Sequence, residues 1–257
     1  MTEHLIHYVT TGMERTIGDR GEILNQSVAS RAVNIDPDMR RVRRYDIYHK
    51  RYQGLLKGWG LSGLTLLVAG LALCWFQHPV WGGVLIALSV PVLFIAARIP
   101  QTLKGDAYRS GLLIPGIVTN LSPLTVTCVT DARTGEYPVE AGEPMWGVRE
   151  VLVEELPLHA SQLGEQVPCV SLFGETNEEG SYYTNFEPRP LSWGTEDARI
   201  IEQARQAIDN EEWLILPTLA RTFAAHSKND NDIALFDLNL QPVTMATSEA
   251  TAAPQQP

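Results

Sequence analysis

A chain of 257 residues with a formal net charge of −10 has room for one or two domains, and it lacks the broad basic face of a nucleic-acid-binding protein. Its three cysteines, Cys74, Cys128 and Cys169, form an odd and widely spaced set, which argues against a disulfide framework or a zinc site. The average composition looks soluble, but the apolar residues are not evenly spread.

Residues 1–35 mix charged and polar side chains with no apolar run of the kind a secretory signal needs, so the first membrane span is expected to act as its own insertion signal. This segment has no clear period and is expected to lack fixed structure. His4 and His7 could share a helix face, but two lone histidines do not read as a metal site. Asp36-Pro37 reads as a helix start, an Asp cap followed by Pro at the first helical position. From Met39 the chain is expected to run helically through 39–58 into the membrane. This juxtamembrane segment carries a basic cluster, Arg40, Arg41, Arg43, Arg44, Lys50 and Arg51. At a membrane surface each such charge is worth about 1 kcal/mol against anionic headgroups. The plainer reading is that the charges only set topology.

The 40 positions between Lys57 and Arg98 hold no Asp, Glu, Lys or Arg. A spanning helix needs about 20 apolar residues, so this run predicts a two-helix hairpin over 59–99 with its turn at Gln77, His78 and Pro79. Trp59, Trp75, Phe76 and Trp81 fall at interface depths. Gly60, Gly63, Gly70 and the Gly82-Gly83 pair would let helices approach closely, either within the hairpin or, less simply, between two copies. Pro91 is expected to kink the second span. Apart from His78 at the tip no ionisable side chain lies in the spans, which argues against a transporter or channel. Lys and Arg flank the hairpin on both sides and are absent from its tip, so both termini are expected in the cytoplasm.

A soluble α+β domain is expected over 105–223. Strands are predicted at 112–120, 124–130, 147–154, 167–173 and 182–186, separated by turn signals at 133–135, 140–142 and 177–180. Short strands in this density suggest a small antiparallel β-barrel or a bent sheet. An amphipathic helix is predicted over 195–216, capped by Thr195 with Glu196 and Asp197 in its first turn and closed by Pro217. Residues 227–257 read as a disordered tail. Between Asp131 and Glu212 there are 18 acidic and five basic residues, a surface that favours solubility or a basic partner.

Several short motifs stand out: Trp146-Gly147, Leu156-Pro157, the run from Gly164 to Pro168, and above all Pro188-Arg189-Pro190-Leu191-Ser192-Trp193-Gly194-Thr195-Glu196-Asp197. Together they resemble the actinobacterial membrane proteins grouped as domain of unknown function 3239, over roughly residues 40–220. That family has no established activity and so implies no catalytic residues; it does imply an actinobacterial plasma membrane. Read physically, the last motif is structural: the prolines stiffen a strand exit, Gly194 permits a turn, Thr195 caps a helix and Trp193 buries a ring. The alternative is a recognition surface made of Trp146, Trp193 and Arg189.

No P-loop, dinucleotide fold or nucleophile elbow is present, and no motif calls for a cofactor or metal. The function expected is a membrane-anchored cytoplasmic interaction or scaffold module in an envelope-related assembly. Its expected partners are the bilayer and a protein, not nucleic acid, and self-association is open. The alternative is a membrane-bound hydrolase using His159, which is the soluble domain's only histidine before the tail.

Overall fold

The computed structural model describes residues 17–18, 29, 31–98, 105–135, 143–226 and 233–243. Helix α1 spans Met39–Tyr45 and α2 spans Ile47–Trp75. The single continuous juxtamembrane helix expected from the sequence is therefore broken at one residue, Asp46, whose backbone is extended (φ −70°, ψ 111°). The start of α1 also differs: Asp38, not Asp36, is the cap, accepting a bond from the Arg40 amide at 2.8 Å.

Helix α3 spans Pro79–Arg98, with Pro79 as its first residue and Pro91 inside it. The hairpin turns through Gln77, whose positive φ of 64° reverses the chain. Both helices are long and apolar enough to cross a membrane. They leave Leu61, Val68, Leu71, Val84, Val90 and Phe94 exposed, a surface that in water would drive aggregation and in lipid is solvated. The two pack on each other through glycine: a Cβ at Gly70 would meet the Gly82 carbonyl at 2.9 Å, and one at Gly82 would meet the Gly70 carbonyl at 2.6 Å. These close approaches belong to the hairpin itself, the simpler of the two readings of the small residues.

The soluble domain opens with a short helix α4, Asp106–Ser110, and five strands: β1 Leu112–Leu121, β2 Leu124–Asp131, β3 Trp146–Leu152, β4 Gln166–Phe173 and β5 Phe186–Pro190. A 3-10 turn, Leu191–Trp193, leads to α5 (Ala198–Ala207) and α6 (Asn210–His226), and β6 (Ile233–Phe236) and β7 (Pro242–Val243) follow. All strand pairs are antiparallel, in the order β5-β4-β1-β2-β3-β6-β7. The sheet is open, so of the two architectures expected, the bent sheet is the one found. Strands β1 and β2 are buried on both faces along most of their length. On one side α6 covers β1 and β2 with Leu216, Leu219, Ala220 and Phe223.

Four expectations need correction here. The strand read at 182–186 lies later: β5 is the Pro-Arg-Pro segment itself, tolerated because β5 is an edge strand and one side of it needs no donors. The helix read at 195–216 is two helices, with Asp197 rather than Thr195 as the cap of α5. The break at Ile208 is held by the Trp213 indole, which donates to the Arg205 carbonyl at 3.2 Å. Pro217 lies inside α6. It removes one amide donor at a cost of about 3 kcal/mol, whereas each large side chain that α6 buries returns roughly 1.5–3 kcal/mol, so packing carries the helix through it. Finally, two short strands come from the region read as tail, and the N-terminal segment supplies buried residues: Ala32 bridges to Leu112, and the buried Arg31 pairs with Asp209 and Glu212. The rest of 1–35 and of 227–257, His4 and His7 included, lies outside the described residues.

Gly194 has an ordinary helical backbone (φ −98°), so it is not there to permit a turn. Its role is clearance, because a Cβ would sit 2.6 Å from the buried Tyr108 ring. Gly194→Ala should destabilise the domain by roughly 1–3 kcal/mol, the range for overpacking a filled site. Urea unfolding of the detergent-solubilised chain, followed by tryptophan fluorescence, should show a lower midpoint at unchanged slope.

Candidate functional site

The break at Asp46 organises the most polar part of the interior. Because Asp46 stops α1 and begins α2, its carboxylate can turn back on the new helix. Oδ1 accepts the amides of Tyr48 (2.9 Å) and His49 (3.1 Å), two of the donors that a helix start leaves unsatisfied. Oδ2 faces the soluble domain, where it accepts the Tyr108 hydroxyl and the Arg189 Nε, each at 3.2 Å. Asp46 and Arg189 are both almost fully buried, at 3% and 5% exposure.

Arg189 is held from β5 by prolines on both sides. Its remaining nitrogens reach the Glu187 carbonyl at 3.1 Å and the Glu187 carboxylate at 2.7 Å. Its guanidinium lies over the Tyr48 ring, 4.4 Å from the centroid. Glu187 also accepts the Tyr52 hydroxyl at 3.2 Å. The first turns of the membrane helix are thus bonded to β5 and α4 through Asp46, Tyr48 and Tyr52. Burial pulls the Arg189 pKa down, but the Asp46 and Glu187 carboxylates outweigh it and hold the group above its ordinary value. Burial, with the Asp46 carboxylate beside it, pushes the Tyr108 hydroxyl well above the usual tyrosine range. A cleft of about 280 Å³ opens beside this network between Asp46, Tyr52, Asp106 and Glu187. A second cleft, of about 500 Å³, lies between α6 and the β1–β3 face, with Glu150 and Arg221 among its lining groups.

Trp193 is fully buried, and its indole donates to the Glu155 carbonyl at 3.0 Å. Arg189 is spent on Asp46 and Glu187. Trp146 is partly buried against the core, and its indole nitrogen has no partner among the described residues. Trp193 and Arg189 are therefore interior groups and form no exposed recognition surface with Trp146. The basic cluster divides. Arg41 donates to the Ser192 carbonyl at 2.8 Å, Lys50 pairs with Glu154, and Arg44 comes within 4.0 Å of Glu155. Arg40, Arg43 and Arg51 are exposed.

His159 sits in the β3–β4 loop with its side chain 5% exposed and Nδ1 3.0 Å from Glu165. The same carboxylate accepts the amides of Ala160 and Gln162, at 3.0 and 3.2 Å, so the pair staples the loop. Among the described residues no hydroxyl or thiol bonds to His159, and its Nε2 has no partner. Nothing here favours the hydrolase reading. Ser171 is fully buried, as are Cys128 and Cys169, whose sulfurs lie 3.6 Å apart. Burial, and the Cys128 thiol next to it, raise the Cys169 pKa well above the ordinary thiol value, the opposite of a nucleophile's need. Among the described residues no three His, Cys, Asp or Glu groups are placed to hold a metal.

Residues 102–223 match a family described as a protein of unknown function, DUF3239. This region of the chain is similar to that family. The DUF3239 region begins just after the hairpin and ends within α6, so it takes in β1–β5, Tyr108, Glu187 and Arg189 but not Asp46. Among solved structures, a candidate membrane protein from Corynebacterium diphtheriae is similar, at 20% identity over 49% of this chain and 99% of that chain, with a TM-score of 0.39. No curated protein matches the chain.

Two outcomes follow for the interior groups. Arg189→Met leaves the Asp46 and Glu187 carboxylates without their cation and should cost about 3–5 kcal/mol, the range for breaking a buried pair from one side. Thermal unfolding in detergent should show this loss. His159 titrates below its ordinary 6.5 because burial disfavours the cation more than Glu165 supports it. The folded state therefore binds fewer protons than the unfolded one. The stability this represents is present above the unfolded value of about 6.5 and is lost as pH falls through it toward the lower folded value. Unfolding midpoints measured from pH 7.5 down to 5 should fall less steeply in His159→Asn than in the native chain.

Proposed function

We propose that this chain is a membrane-anchored interaction or scaffold module, whose DUF3239 domain is presented at the cytoplasmic face of the actinobacterial plasma membrane to a protein partner. The observation that carries this reading is the clamp around Asp46. The spanning helix enters the domain without a flexible linker, and side chains from two elements, α4 and β5, hold it there. A soluble binder that merely needs retention at a membrane requires no such attachment. A surface that must meet a membrane-embedded or membrane-parallel assembly does, because fixing height and orientation removes part of the entropy that docking otherwise costs. The family resemblance supports the actinobacterial membrane, and an envelope-related assembly is the setting in which such a partner would act.

The orientation rests on charge. Arg40, Arg41, Arg43, Arg44, Lys50, Arg51 and Lys57 precede the hairpin, Arg98, Lys104 and Arg109 follow it, and its tip from Phe76 to Val80 has neither Lys nor Arg. With Cys74 replaced by Ala, a Gln77→Cys chain should react with a membrane-impermeant maleimide in intact cells. An Arg51→Cys chain should react only after permeabilisation; the reverse pattern would invert the topology. For the module itself, crosslinking in native membranes followed by purification in mild detergent should recover a stoichiometric protein partner. Repeated recovery of the chain alone would sink the reading.

A further inference from the structure

We propose that the outward face of α1 is a docking ridge for an acidic segment of a partner protein, and that it does not serve as a lipid-headgroup contact. The inference rests on the interaction-module reading and names the chemistry of the partner.

Helix α1 has two faces. Its inward face carries Val42, buried in the core, and Arg41, bonded to the Ser192 carbonyl. Arg40, Arg43 and Arg44 recur at i, i+3 and i+4, and all three are exposed. Neighbours at that spacing sit side by side, and like charges there are mildly destabilising. Compensation from within the chain is slight. Arg44 has the 4.0 Å contact to an exposed Glu155 and lies 5.1 Å from the Tyr45 ring centroid, and among the described residues Arg40 and Arg43 have no carboxylate within ion-pair distance. Elsewhere cations have partners: Lys50 with Glu154, Arg109 with Asp36, and the buried Arg189 with Asp46 and Glu187. In a chain of net charge −10, three exposed guanidinium groups on one face of a short helix form a local concentration of positive charge.

The bilayer would be the usual counter-charge, but the geometry places it out of reach. Helix α2 is continuous from Ile47 to Trp75. It rises about 18 Å between Ile47 and Trp59, where the apolar span begins, at roughly 1.5 Å per residue. The headgroup layer of one leaflet is only about 6 Å deep, and a tilt of about 20° shortens the rise by roughly 1 Å. Helix α1 lies on the far side of Asp46 and rests on the domain: Arg41 bonds to the Ser192 carbonyl, and the Asp38 amide bonds to the Gly194 carbonyl at 2.8 Å. The backbone at the α1–α2 junction therefore stands about 10 Å clear of the headgroups, near the screening length at physiological salt. Arg51 and Lys57, on α2 itself, are the cations at headgroup level. Guanidinium forks at this spacing suit carboxylates, which they bind in bidentate fashion.

The test uses the full chain in phosphatidylcholine nanodiscs and a fluorescent dodecapeptide of alternating Glu and Ala, with a Gln-Ala peptide as control. The Glu peptide should bind with salt-sensitive affinity and the Gln peptide should not. The R40Q/R43Q/R44Q chain should bind about tenfold more weakly, the sum expected of three exposed pairs, while R51Q/K57Q should bind as the native chain does. In parallel, an environment-sensitive dye on Arg43→Cys, in the Cys74→Ala background, should emit identically in phosphatidylcholine and phosphatidylglycerol nanodiscs. Unchanged peptide binding by the triple variant, or no binding by the native chain, would overturn the proposal. So would a blue shift confined to phosphatidylglycerol, which would assign the ridge to the bilayer. If R40Q/R43Q/R44Q still co-purifies with the cellular partner, the ridge fails as its docking site while the module reading stands. If the native chain yields no partner, the module reading fails with it.

Discussion

One carboxylate sets the relation between membrane and domain. Asp46 is the only acidic residue between Met39 and Lys57, and it is almost completely buried. Removing a charge from water is expensive, and a buried ion pair is often no more stabilising than an apolar pair of the same shape. Its retention is better explained by geometry than by energy. An apolar contact between α2 and β5 could slide by a residue with little penalty. A carboxylate that caps its own helix with one oxygen and receives Tyr108 and Arg189 with the other has one register in which every donor is satisfied. Any other register strands a buried charge.

Much of the remaining structure follows from that register. Arg189 must enter from the edge strand, and the flanking prolines Pro188 and Pro190 both stiffen β5 and deny its outer edge a full set of donors. Tyr108 must approach closely enough for its hydroxyl to reach Asp46, which is why position 194 has no side chain. Trp193, next to it, fills the corner and bonds to the Glu155 carbonyl, bringing the acidic end of β3 beside α1 and α2. There Glu154 and Glu155 meet Lys50 and Arg44. The motif from Pro188 to Asp197 is thus the domain's half of the clamp.

The legible parts of the sequence were those with a strong period or a sharp compositional edge. The hairpin was read to within a residue or two because 40 uncharged positions admit few alternatives, and the first four strands because β-branched runs alternate with turn residues. What was missed depends on contacts distant in sequence. Asp46 looks like one more polar residue in a basic helix; only its partner, 143 positions away, makes it a break. Pro217 reads as a helix end by local rules and is overruled by the sheet beneath α6. Strands β6 and β7 are too short to carry a period of their own and exist because β3 offers an edge to pair with. Arg189 and Trp193 stood out as unusual residues, but exposure is a tertiary property, and both turned out to serve the interior.

The same reasoning changes what the charge pattern means. Counted along the chain, the basic segment and the acidic domain look like two separate surfaces, one for lipid and one for water. In three dimensions they interlock: Lys50 and Arg44 meet the domain's carboxylates, Arg41 is absorbed into a turn, and among the described residues Arg40 and Arg43 on α1 and Arg51 and Lys57 nearer the span have no carboxylate partner. These two groups lie on either side of Asp46, at a junction that cannot pivot without exposing a buried ion pair. A flexible tether would let every cation find the headgroups in turn. A clamped one sorts them by distance, so charges of the same sign in one short segment face different surroundings.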